Sequence, residues 1–143
     1  MRAKESSFDV SYGCELQPSI LSGIERLKAA SALSHIQITI PNTMSYQVAL
    51  EASQKTDSIA HCNLLNTFGE NDWSELKSVA SQVRSLKPIH VVEHFTAFRP
   101  TKNEKTGVYF HPDLCRPAMK IKIIDAIRKW QDILNIPLCL ENV

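Results

Sequence analysis

Pro88-Ile89-His90-Val91-Val92-Glu93-His94-Phe95 is the stretch on which the reading of this chain turns. Ile89 to Val92 has the β-branched residues that suit a pleated, buried strand. Pro88 is tolerated at its start because the first position need not donate to a ladder. The strand then runs directly into Glu93 and His94, an acid beside an imidazole. Burying such a pair is costly unless something satisfies it. In parallel α/β proteins that partner sits at the carboxyl ends of the strands, where ligands bind.

The segments on either side repeat the same plan. His35-Ile36-Gln37-Ile38-Thr39-Ile40 alternates strictly, and Pro41 ends it. Ser58 to Cys62 is a shorter strand, and Pro137-Leu138-Cys139-Leu140 another, closing in Glu141-Asn142-Val143. At the start of the chain, Phe8 to Tyr12 alternates and reads as the first strand, broken by Gly13 and Cys14. Between these strands lie helical periodicities. Pro18 opens a first helix that carries Ile20, Leu21, Ile24 and Leu27 to about Ala32. A second spans Ser45 to Gln54, with Val48, Ala49 and Ala52 inward. A third starts at Asp72, with Glu75 three residues on, turns Leu76, Val79, Ala80 and Val83 inward, and stops before Pro88. The fourth opens at Pro117 and has the clearest stripe, Ile123, Ile127, Trp130 and Leu134, with Asn135 as a left-handed stop. The polar segment from Thr96 to Arg116, with Gly107 and a His111-Pro112-Asp113 turn, is a long loop of the kind that forms lids.

The order is therefore four β-α units and a closing strand, in units of roughly 25–30 residues, as parallel crossovers require. The fold class is α/β. An open sheet with helices on both faces would want a G-x-G-x-x-G turn after its first strand. Gly13-Cys14-Glu15-Leu16 does not supply one, so the expectation is the amino-terminal part of a TIM-type (β/α)8 barrel, in one domain over residues 1–143.

Composition excludes several classes. The 143 residues carry 16 basic and 15 acidic side chains, a net charge of +1, which is no footprint for nucleic acid. Apolar runs fall far short of the ~20 residues a membrane span needs, and no apolar segment follows the polar start to suggest a signal peptide. Cysteines 14, 62, 115 and 139 form no C-x-x-C pair, which points to reduced thiols and a cytoplasmic protein.

Three strand ends carry ligand-type side chains: His61, then Glu93 with His94, then Glu141 with Asn142. Imidazole and carboxylate together suit Fe, Mn or Zn. Neighbours on a regular strand point to opposite faces, so Glu93 and His94 can both face inward only if a bulge or the loop re-aims one. His90 sits mid-strand and reads as structural. His35 lies at the wrong end of its strand, and His111 and Asp113 lie on the long loop.

The run Gln131-Asp132-Ile133-Leu134-Asn135-Ile136-Pro137-Leu138-Cys139-Leu140-Glu141-Asn142-Val143 resembles the Q-x-x-L-G-x-P-x-x-L-E-N-V segment of the multinuclear non-haem iron-dependent oxidative enzymes, which include the methanobactin biosynthesis enzyme. Val92-Glu93-His94 is similar to that family's S-[DE]-H strand end, and His61 falls on the histidine of its L-H-G. The resemblance runs from about Ser34 to Val143. It implies a (β/α)8 barrel binding two or three iron ions, with His61, Glu93, His94, Glu141 and Asn142 as ligands or their neighbours. It also implies oxidative modification of cysteine-containing peptides by dioxygen, often with a small partner protein that presents the peptide. The departures are specific. The family's E-x-H-x-E-N falls on Gln37-Ile38-Thr39-Ile40-Pro41-Asn42, where only the asparagine is kept, and strands six to eight have no counterpart here. The expectation is thus an incomplete barrel that pairs with a second half, in another chain or another copy. The alternatives are a non-catalytic binding or scaffold protein, and a divalent-metal sugar isomerase or endonuclease-like barrel that would need more acids and histidines on later strands.

Overall fold

The computed structural model describes residues 13–40, 45–67, 69–96 and 117–141. In chain order these form β1 (Gly13–Glu15), α1 (Pro18–Leu21), α2 (Ile24–Ala29), β2 (His35–Ile40), α3 (Tyr46–Lys55), β3 (Asp57–Cys62), α4 (Trp73–Leu86), β4 (His90–His94), α5 (Pro117–Leu134) and β5 (Leu138–Glu141). The strands make one five-stranded sheet in the order β1-β2-β3-β4-β5. Every pairing is parallel. Sequential order with right-handed crossovers places all the helices on one face of the sheet. A doubly wound sheet would reverse its order part-way, so the arrangement matches part of a TIM-type barrel.

Burial follows that geometry. Ile36, Ile38 and Ile40 on β2, Ser58, Ala60 and Cys62 on β3, and Val91 and Glu93 on β4 are buried. The residues that alternate with them on β2 and β3, Gln37, Thr39, Ile59 and His61, are only half-buried and line the opposite, open face. On the helical side Ala49, Ala52, Leu76, Ala80, Val83, Leu86, Trp130 and Leu134 complete the core. Fully burying a Leu or Ile side chain contributes roughly 1.5–3 kcal/mol, so this layer carries the stability of the sheet.

Local chemistry sets the element ends. Ser45 caps α3, its side chain accepting from the Val48 amide, and Asp72 caps α4 by accepting from the Ser74 and Glu75 amides. Lys87 and Asn135 stop α4 and the chain after α5 in left-handed conformations, with φ of 50° and 52°. Two readings need correction. The first strand among the described residues is Gly13–Glu15, where a break was expected; Phe8 to Tyr12 lies outside them. Gly13 belongs in the strand because the His35 ring lies across it, and an added Cβ would come 2.0 Å from His35 Nε2. The first helix is also in two pieces. The Gly23 amide donates back to the Ile20 carbonyl and ends α1 after a single turn. A glycine at that point lowers the helical preference enough for the turn to close. The loop from Thr96 to Arg116, apart from Thr96 itself, lies outside the described residues.

The rim at the carboxyl ends of β3 and β4 is tied by its own bonds. The Thr67 amide and hydroxyl both donate to the Thr96 carbonyl, at 3.1 and 2.9 Å. The Asn71 side chain closes on the Asn66 backbone, its Oδ1 accepting from the Asn66 amide at 2.9 Å and its Nδ2 donating to the Asn66 carbonyl at 2.8 Å. These bonds pair buried polar groups of the loop within the protein.

Candidate metal centre

Register decides which side chains meet at this rim. His61 of β3 lies opposite Val92 of β4, and Val92 opposite Cys139 of β5, while His94 lies opposite Glu141 one step further along. All four of the last positions fall on the open face by alternation. The His61 ring reaches forward along the strand. Its Nε2 is 3.1 Å from His94 Nε2, and the two nitrogens are 3.3 and 3.4 Å from Oε2 of Glu141. The rings meet edge to face, with centroids 4.9 Å apart.

This triangle has the dimensions of a coordination face. Donors about 2.1 Å from one ion are about 3.0 Å apart in an octahedron and about 3.4 Å apart in a tetrahedron. The three donor separations fall in that interval without any backbone shift. His61, His94 and Glu141 can therefore hold a metal ion, and they are the one such group found among the described residues. The two rings are mostly covered, whereas the Glu141 side chain is 48 % exposed, so the open side of the triangle faces solvent. Burial, and next to it the neighbouring His61, push the His94 pKa down. Its imidazole is then neutral near pH 7 and has a lone pair to give.

The strand-end residues expected as ligands thus separate. His61, His94 and Glu141 converge. Glu93 does not, because β4 alternates regularly to its end and no bulge re-aims it. Its side chain is fully buried on the helical face. Oε1 accepts from the Trp130 indole at 2.9 Å, and Oε2 from the Leu64 and Leu65 amides at 3.2 and 3.4 Å. Burial raises its pKa to about 8, against the opposing pull of those three donors. Cys62, beside it on β3, is pushed up as well, by burial first and then by the Glu93 charge. Asn142 lies outside the described residues, as do His111 and Asp113. His90 is half-buried on the open side of β4, and His35 bonds Ser34 Oγ at 3.0 Å, away from the rim.

Two polar residues of β2 join the site that the strand-end reading passed over. The Gln37 amide nitrogen donates to His61 Nδ1 at 2.9 Å, and the Thr39 hydroxyl donates to Glu15 Oε1 at 3.0 Å. Strict alternation puts Gln37 and Thr39 on one face of β2. That His61 meets Gln37 depends on the β2–β3 register and on the direction of the ring, neither of which spacing alone supplies.

Compared with protein-family models and with curated proteins, the sequence matches none significantly. The three thiols among the described residues, Cys14, Cys62 and Cys139, are free. No helix among the described residues is long and apolar enough to cross a membrane.

Proposed function

We propose that this chain carries the metal-holding rim of an iron-dependent oxidative enzyme acting on cysteine-containing peptides, with His61, His94 and Glu141 as the ligands of one ion. The observation that supports it is the donor triangle. Two imidazoles and one carboxylate on one face of an ion, with the remaining positions open, is the arrangement associated with non-haem Fe(II) oxygenases. The resemblance noted at His61, His94 and Glu141 gives the same metal and the substrate class. Bound iron would supply one-electron chemistry toward dioxygen and a position for a substrate thiolate.

The chain's own residues do the rest. The rim loops hold His94 at the end of β4, because Glu93 beneath it is anchored to α5 and to the start of the β3–α4 loop. Gln37 bonds the far nitrogen of His61. The exposed side of Glu141 leaves an approach for a peptide, and the covered rings exclude water from the other side. The resemblance implies two or three ions, and the further ones would need donors beyond this triangle.

A second reading, a metal-binding or scaffold protein with no oxidative activity, draws on strand β2. Thr39 and Gln37 stand where the resembled family has a histidine and an acid, and Thr39 is engaged with Glu15.

Anaerobic reconstitution with ferrous iron, followed by counting iron per chain, tests the proposal. One iron per chain that is lost in both His61→Ala and Glu141→Ala is expected, together with dioxygen consumption when a cysteine-containing peptide is added. Bound iron with no dioxygen consumption favours the second reading. No bound iron refutes the enzyme reading and favours a scaffold without metal.

A further inference from the structure

The observation behind this inference is the pairing of Gln37 and His61. Imidazole can use Nε2 as a metal ligand only when that nitrogen is bare, and in the neutral ring the proton must then sit on Nδ1. Gln37 faces Nδ1 with its amide nitrogen, 2.9 Å away. An amide nitrogen has hydrogens to give and none to accept, so Nδ1 is the acceptor and Nε2 carries the ring proton. That proton points at His94 Nε2, 3.1 Å away, and at Oε2 of Glu141, 3.3 Å away.

We infer that Gln37 is a positioning residue that selects the tautomer of His61, turning its side-chain amide over so that its oxygen accepts from Nδ1–H when the rim takes a metal ion. The inference rests on the metal reading of the rim. The amide has nearly the same shape either way round, so the turn needs no change in backbone or packing. With the oxygen presented, Nδ1 donates, Nε2 is bare, and its lone pair joins those of His94 and Glu141. Partners of this kind fix ring orientation, raise the basicity of the ligand, and are worth about ten- to a hundredfold in metal affinity. The His61 side chain is only 15 % exposed, so water replaces the lost partner poorly.

Two variants bracket the effect. Gln37→Leu removes both the donor and the acceptor. Gln37→Glu can only accept, and so holds His61 in the metal-ready tautomer even without metal. Gln37 is half-buried on the open face, so neither change disturbs the core.

The test uses Zn2+, which is redox-silent and binds nitrogen and oxygen sites more tightly than Fe2+. Affinity is measured by competition with a chromophoric chelator, and the His61 tautomer by imidazole nitrogen chemical shifts. Wild-type protein is expected to show Nε2–H without zinc and Nδ1–H with it. Gln37→Leu is expected to bind about ten- to a hundredfold more weakly, and Gln37→Glu at least as tightly as wild type. Gln37→Glu is also expected to show Nδ1–H before zinc is added. Zinc binding with wild-type affinity in Gln37→Leu, or Nδ1–H in the metal-free wild type, overturns the role of Gln37 and leaves the metal reading standing. Absence of zinc binding in wild type overturns the metal reading, and this inference with it.

Discussion

Glu93 and His94 are covalent neighbours that do opposite work. His94 turns to the open face and joins the donor triangle, while Glu93 turns under α5 and accepts three hydrogen bonds from Trp130, Leu64 and Leu65. Three donors favour the carboxylate, yet complete burial outweighs them and raises the pKa to about 8. An acid whose pKa is higher folded than unfolded binds its proton more tightly in the native state. Its contribution to stability is therefore complete below the unfolded value and is lost as pH climbs through about 8. Urea unfolding of wild type should weaken on going from about pH 5 to about pH 9 by an amount on the order of a few kcal/mol. Glu93→Gln should remove that slope. An equal slope in the variant would place the pH dependence elsewhere.

At the scale of elements, α5 links core and rim. Trp130 is fully buried, fills the space between α5 and the sheet, and supplies the indole hydrogen to Glu93. Trp130→Ala should cost about 3–5 kcal/mol of stability in denaturant unfolding. Trp130→Phe keeps most of the ring but strips a buried carboxyl of one donor, and should cost about 1–3 kcal/mol. A Phe variant as stable as wild type would mean that the indole hydrogen contributes nothing. The stripe that includes Trp130 was legible at once, because helical periodicity over eighteen residues is a strong signal. So were β2 and the Asp72 cap, whose patterns are local. What was not legible depends on contacts distant in sequence. Gly13 reads as a breaker until His35 is seen lying over it, and the first helix reads as continuous until the chain closes a turn at Gly23. Glu93 reads as a ligand as readily as His94 does, because alternation says that they diverge without saying which goes inward. The tryptophan thirty-seven residues away that receives Glu93 settles the matter.

For the whole molecule, the sequential parallel order matters most, because it brings β3, β4 and β5 side by side and delivers their ends to one rim. The triangle draws one residue from each of these strands, so an ion there cross-links the sheet. Zinc at a hundred times its dissociation constant should stabilise the fold by about 2.7 kcal/mol, read as a rise in the thermal midpoint that a chelator reverses. The shift should fade as pH falls, because imidazole ligands must be deprotonated. The lowered pKa of His94 puts its protonation below the ordinary imidazole range. No shift in wild type, or an undiminished one in His61→Ala, would contradict the site.

The divergence of Glu93 and His94 also guards the alignment of β4. Sliding that strand by one residue would exchange the two faces. An imidazole would then be pressed beneath Trp130 and a carboxyl set among the rim donors, leaving the Leu64 and Leu65 amides to face a ring instead of an oxygen pair. Mispaired intermediates would thus be penalised at the core and at the rim together, so the adjacent acid and imidazole act as a built-in check on threading during folding.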